Sequence, residues 1–287
     1  MVPGSLEGAK FSVLGADGFV GRALGAYLEQ RDIPHRAFGR GFEDYFSEPL
    51  GHAVYCIGLT ADYLDRSLDT IAAHVTLFAE LLEKAEFDSL TYLSSTRLYD
   101  GTDMPGRENG DLVLNPHNPR HLYDFSKGLG ESLCLTGKRE NVRTARLACV
   151  YAPDLKADNF LHGFLKAACE GQPMTLETHM DAVRDYVHID DVCQALVEIA
   201  TSGKRQIYNV ASGENVSNRE LFALVESLTG CTIEVTPPQV SDAPNAPRVN
   251  TEFLRDDFGL TPKRLAHVLP EILSPHLPGC DFKVAMP

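Results

Sequence analysis

Apolar residues along this chain follow two rhythms. Short, nearly continuous runs occur at Phe11-Ser12-Val13-Leu14, at Ala53-Val54-Tyr55-Cys56-Ile57-Gly58, at Leu90-Thr91-Tyr92-Leu93 and from Val142 to Val150. Such runs predict strands buried on both faces, as in a parallel sheet covered by helices. Pro34 to Phe38 and Gln206 to Val210 read as two further strands. Between them lie longer stretches with helical spacing, after Arg22, after Tyr123 as far as about Thr136, and from Arg66 to Glu86. In the last of these, Leu68, Ile71, Ala72, Val75, Phe78, Ala79 and Leu82 form one stripe, which is expected to pack on the sheet and to offer a dimer surface. Strands alternating with helices predict an α/β fold built on a doubly wound parallel sheet.

The pattern changes after about residue 150. Asn159 to Glu170 reads as helix and Gly171-Gln172-Pro173 as a break; Arg184 to Val192 leads into a helix through Ala200, and Asn218 to Thr229 is another helix. Pro237, Pro238, Pro244, Pro247 and Pro262 break the tail into short elements. Residues 1–150 are therefore expected to form the main domain, with returning segments at about 183–211, and residues 151–287 mainly a smaller C-terminal substrate lobe. The Gly-, Pro-, Asn- and Asp-rich segment from Thr102 to Pro119 is expected to be a loop near the site.

Composition narrows the function classes. The 287 residues include 44% hydrophobic and 23% charged residues, an ordinary globular balance. A formal charge of −14 argues against nucleic acid or an anionic membrane surface as partner, so an anionic ligand must be held by local arginines and helix N-termini. The seven cysteines are dispersed without a C-x-x-C pair, which reads as reduced thiols in a cytoplasmic protein. No apolar run approaches the ~18 residues of a membrane span, and no secretory signal is evident. No metal-ligating set is assigned.

The first strand runs into Gly15-Ala16-Asp17-Gly18-Phe19-Val20-Gly21 and then a helix. Strand, glycine-rich turn and helix in this order let the backbone approach a pyrophosphate and turn free amides toward it, as in a Rossmann unit. Gly15, Asp17, Gly18, Phe19, Val20 and Gly21 are thus cofactor-side candidates, joined by Ile57 and Gly58 at the end of the third strand. An acid after the second strand would bond the ribose 2′-hydroxyl of NAD. The chain instead has Gly39-Arg40, with no acid until Glu43, and Arg40 can accommodate the 2′-phosphate of NADP. NADP is the preferred cofactor on this reading, with NAD the alternative.

Tyr123 and Lys127 stand four positions apart at the start of a helix, which puts both on one face. A lysine ammonium beside a phenol favours the phenolate, so Lys127 is expected to lower the Tyr123 pKa and suit it to proton transfer. Ser94-Ser95-Thr96-Arg97 follows the fourth strand, where hydroxyls point into the ligand crevice.

Together these pieces resemble the extended short-chain dehydrogenase/reductases, the group of nucleotide-sugar epimerases, dehydratases and ketoreductases. Gly15, Gly18 and Gly21 match its G-x-x-G-x-x-G; Ser94 to Gly101 is similar to its Ser-Ser-x-x-Val-Tyr-Gly segment; Tyr123 and Lys127 match its Y-x-x-x-K; and Arg184 to Val192 is similar to its R-D-[FY]-V-H-[VI]-D-D-V signature. The resemblance implies that Tyr123 exchanges a proton with a substrate oxygen, that Ser95 hydrogen-bonds that oxygen, and that Lys127 bonds the nicotinamide ribose. It also implies substrate contacts at Ser95, Thr96, Arg97 and Asn159, with Arg184 and Arg248 on a diphosphate. His188 and Asp191 read as structural.

The chain departs from its relatives in places. Family dehydratases carry Asp-Glu directly after the hydroxyl residue, where this chain has Thr96 and Arg97, which argues against water elimination. Cys149 replaces a common asparagine, and the short span from Arg40 to Ala53 suggests a trimmed third strand and helix. The leading expectation is an NAD(P)-dependent oxidoreductase acting on a nucleotide-activated sugar by 4-ketoreduction or 4-epimerisation. Alternatives are a reductase of another carbonyl substrate and a non-catalytic nucleotide-sensing protein. A homodimer through helices at 66–86 and 124–136 is expected.

Overall fold

The computed structural model describes residues 8–39, 45–155, 159–171, 173–238 and 246–277. Six strands form one sheet in the order β2-β1-β3-β4-β5-β9. They are β1 (Phe11–Leu14), β2 (His35–Phe38), β3 (His52–Tyr55), β4 (Ser89–Ser95), β5 (Val142–Leu147) and β9 (Ile207–Val210), and every pairing is parallel. The inner strands are buried over most of their length, as their apolar runs require. Ser12 is tolerated there because its hydroxyl donates to Leu50 O at 2.7 Å.

Helices cover both faces. Helix α1 (Phe19–Glu29) and α6 (Ile189–Ser202) pack on one side, around Leu24, Leu28, Val192, Leu196 and Ile199. On the other side lie α2 (Ser67–Ile71), α3 (Leu77–Lys84) and α4 (His121–Thr136), over Tyr55, Phe78, Leu81, Tyr92 and Cys134. The fold is a Rossmann-like α/β fold, as expected.

Three expectations need adjustment. The stretch 66–86 is not one regular helix, since a π turn at Ala72–Thr76 joins α2 to α3. Its buried face at the start is Thr70 and His74, while Leu68 is 83% exposed. Hydrophobicity misleads there because the covered positions bond to neighbours: Thr70 Oγ1 donates to Arg66 O at 3.0 Å. The strand expected from 142 to 150 divides at Ala148: β5 stays in the main sheet, and β6 (Cys149–Tyr151) leaves to pair with β8 (Val183–His188). The strand expected to reach Gly58 ends at Tyr55, leaving Ile57 and Gly58 free to line a cavity.

A second core lies beyond β6. Strand β8 is flanked by β6 and by antiparallel β10 (Asn215–Ser217), and β7 (Met174–Glu177) pairs with β11 (Ile233–Thr236). Helices α5 (Phe160–Cys169), α7 (Asn218–Thr229) and α9 (Leu265–Leu273) pack around Tyr151, Phe164, Tyr186, Phe222 and Leu269. Helix α8 (Glu252–Phe258) packs against β9 of the main sheet instead. The signature around residue 184 binds these parts together. Asp185 accepts from Ser212 N and Gly213 N at 2.8 Å, His188 caps α6, and Asp191 Oδ2 accepts from Lys263 N at 2.7 Å.

Among the described residues no helix is long and apolar enough to cross a membrane, no three His, Cys, Asp or Glu side chains cluster to hold a metal, and the six described cysteines are unbonded.

Candidate active site

Because the main strands are parallel, their carboxyl ends share one edge, and a cavity of about 670 Å³ opens there. Gly18, Phe19 and Val20 line one end, Ile57 and Gly58 the middle, and Ser95, Thr96, Arg97, Tyr123, Lys127, Cys149, Asn159 and Arg184 the remainder.

The glycine turn has the shape a pyrophosphate cradle needs. Gly15 has φ +84°, a left-handed conformation, and a Cβ at Gly21 would stand 2.3 Å from Gly15 O. Gly18 caps α1 without a side-chain bond, so the first amides of an eleven-residue helix remain available to an anion. Glycines at the closest approaches of the turn and free amides at the cavity wall fit a dinucleotide. Asp17 stands at the end of β2, where a Cβ on Gly39 would meet its carboxylate at 2.5 Å. Arg40 lies outside the described residues.

At the other end, β4 delivers Ser95, and α4 delivers Tyr123 and Lys127 from one face. Tyr123 is buried and shares a side-chain hydrogen bond with Ser95. Burial pushes its phenol up to about 12, opposed by the Ser95 bond and the charge of Arg97. Lys127 Nζ lies 5.9 Å from the Tyr123 ring centroid and donates to Leu93 O at 2.8 Å, and burial pulls its own pKa down to about 7.

Several side chains here were not singled out from sequence. His74, on the π turn, is fully buried, with its ring 5.4 Å from that of Tyr123. A Cβ on Gly58 would meet His74 Nε2 at 2.8 Å, so only glycine fits there. Burial, with the Lys127 charge, pulls the His74 pKa down to about 2, so it is neutral. Tyr63 packs on Tyr123 at 5.5 Å, and Asp124 is buried beside Arg97. Asp100 and Arg120 also line the cavity. A histidine inside an otherwise apolar helix was the available signal for His74; nothing in the local sequence marks Tyr63.

In the smaller lobe Asn159 lines the cavity while its Oδ1 accepts from His162 N at 2.9 Å, capping α5. Arg184 lines the cavity; Arg248 does not, its Nε donating to Gly213 O at 2.6 Å while its neighbours Pro247 and Val249 face the cavity. Cys149 is exposed to the cavity.

Residues 11–211 match the model of a protein family described as the NAD dependent epimerase/dehydratase family. A dTDP-4-dehydro-6-deoxy-D-allose reductase from a Streptomyces species is 24% identical over 205 residues, 67% of this chain and 63% of that protein. The chain thus spans less than two thirds of that relative's length. Among solved structures, MoeE5 in complex with UDP-glucose and NAD superposes with a TM-score of 0.76 at 20% identity, covering 93% of this chain and 97% of the other. RMD from Pseudomonas aeruginosa complexed with NADPH superposes with a TM-score of 0.75 at 24% identity, covering 93% and 98%.

Proposed function

The chain belongs to the NAD dependent epimerase/dehydratase family, and from that premise we propose that it is an NAD(P)-dependent oxidoreductase acting on a nucleotide-activated sugar, by ketoreduction or epimerisation at ring carbon 4. The observation that carries this reading is the convergence of Ser95, Tyr123 and Lys127 on the same cavity as the glycine turn. A nicotinamide bound there would supply or accept the hydride.

The Gly15–Gly21 turn and the α1 amides hold the pyrophosphate. Tyr123 moves a proton to or from the sugar oxygen, and Ser95 steadies that oxygen by a hydrogen bond as charge develops. Lys127 bonds the nicotinamide ribose. Asn159 and Arg184 face the nucleotide diphosphate, Asn159 from the smaller lobe, which residues 151–287 mainly form apart from the returning segments at about 183–211, and Arg248 is a further diphosphate candidate. Water elimination has no support, because Thr96 and Arg97 stand where an acid–base pair would be needed. Relatives carry either nicotinamide cofactor: MoeE5 is described with NAD and RMD with NADPH. NADP is our preference on the strength of Arg40, and we read the protein as a cytoplasmic homodimer.

Mass analysis of nucleotide released on denaturation, then titration with NADPH and NADH, tests the cofactor. Incubation with NADPH and dTDP- or GDP-linked 4-keto-6-deoxyhexoses, and separately with UDP-glucose and UDP-galactose, tests the substrate. Ketoreduction or interconversion of any of these, lost in Tyr123→Phe with nucleotide binding retained, is the expected result. Failure to bind either dinucleotide would overturn the proposal.

A further inference from the structure

Arg97 is held by more contacts than a side chain waiting for substrate requires. Its Nη2 donates to Tyr63 Oη at 3.0 Å and to Arg120 O at 2.5 Å, and its Nε faces Asp124 Oδ1 at 3.1 Å. The guanidinium carbon lies 4.9 Å from the Tyr123 ring centroid and 5.0 Å from that of Tyr63. A cation is thus fixed against the ring of the phenol, with a buried carboxylate behind it.

We propose that Arg97 is a positioning residue that acts through Tyr123: its fixed charge, partly balanced by Asp124, sets the protonation equilibrium of that phenol. This rests on the reading of Tyr123 as the proton-transfer group. A guanidinium stays charged at any working pH. The other groups around the phenol are Ser95 at the end of β4, Asp124 and Lys127 on α4, neutral His74 on the π turn, Tyr63, and Cys149, whose thiolate raises the phenol's pKa as Asp124 does. Arg97 is the one among them that carries a full positive charge independent of pH. Asp124 opposes it, since its carboxylate raises the phenol's pKa. Removing either member should therefore move Tyr123 in opposite directions.

The test is the phenolate absorbance of the whole protein against pH, each variant measured minus its own Tyr123→Phe counterpart, so that the other tyrosines of the ten cancel. Arg97→Gln should raise the Tyr123 midpoint by about one pH unit, or remove the step from the range below alkaline unfolding. Asp124→Asn should lower the midpoint by about one unit. Should Arg97→Gln fail to fold, Asp124→Asn and the isosteric Arg97→Gln/Asp124→Asn pair carry the comparison, with the pair above Asp124→Asn alone. Unchanged midpoints, or a shift of both single variants in one direction, would overturn the proposal. The pH profile of turnover with NADPH and a nucleotide-linked 4-keto sugar should shift with the same signs. No turnover by the parent would count against the proposed substrate class and leave the absorbance titration readable.

Discussion

His74 and Ser126 form a polar contact beside Tyr123, with Nδ1 2.8 Å from Oγ. Ser126 gives its own proton to Tyr123 O at 2.7 Å, so Nδ1 is the donor, and Nε2 accepts from Leu59 N at 3.2 Å. The bonds hold the imidazole in one neutral tautomer and tie the π turn to both the Tyr123 helix and the loop after β3. Burial lowers the folded-state pKa from 6.5 to about 2, so below about pH 6.5 the unfolded chain binds a proton that the native state refuses. That contribution to stability is complete above pH 6.5 and fades as pH falls, with a slope of about 1.4 kcal/mol per unit. We expect His74→Asn, whose amide can donate and accept in the same place, to lose this acid dependence. Urea unfolding of both proteins between pH 6.5 and about 5 measures it, and equal slopes would rule the account out.

Burial makes Lys127 a candidate for a residue kept at a cost to stability. A buried amine with a depressed pKa is costly to keep, and its stem is surrounded by Tyr92, Tyr123 and Leu93. Lys127→Met should leave the melting temperature equal to or above the parent's, while turnover falls by about a hundredfold or more. A drop in melting temperature equal to that of an ordinary core disruption would argue that Lys127 is structural.

Much of the architecture was legible in the sequence because burial on both faces of a parallel strand leaves an unbroken apolar run, as at Phe11–Leu14. The glycine turn and the Tyr123–Lys127 pair were legible for a similar reason, since backbone conformation and helix spacing are local. What was not legible depends on distant partners. His74 is polar yet buried, which its contacts with Ser126 and Leu59 explain. The departure of β6 from the main sheet at Ala148 is set by pairing with β8, whose first residue comes thirty-five positions after the division. Arg97 was expected on substrate, and its engagement with Tyr63, Arg120 and Asp124 could not be read from spacing.

Beneath Lys127, one turn further along α4, Glu131 receives two bonds from Arg146 of β5, at 2.8 and 2.6 Å. Arg146 also donates to Tyr99 Oη at 2.6 Å, and Tyr99 in turn donates to Asn209 Oδ1 at 2.7 Å. All four side chains are buried. Removing one partner strands a charge, so Arg146→Leu should destabilise by about 3–5 kcal/mol. The double change Arg146→Leu/Glu131→Leu should recover much of that loss, since two apolar groups leave no unpaired charge. Chemical denaturation of the single and double variants decides it; a double variant no more stable than Arg146→Leu would mean that the rest of the network, not the ion pair, sets the cost.

The outer surface of the same helices carries the argument for a homodimer. Leu68 on α2 is 83% exposed, and Leu129 on α4 is 52% exposed, one turn from Phe125 at 38%. Helix α2 packs beside α4, so these apolar side chains lie on neighbouring elements. Exposed leucines on adjacent helices are what a self-complementary interface would bury, and a second copy of the chain presents the same face. Light scattering on the eluting protein should give twice the chain mass for the parent. Leu129→Arg should weaken association by about thirtyfold or more, because a charge would be desolvated at the centre of the contact, while circular dichroism stays that of the parent. A parent protein that elutes as a single chain at micromolar concentration would remove these helices as an interface.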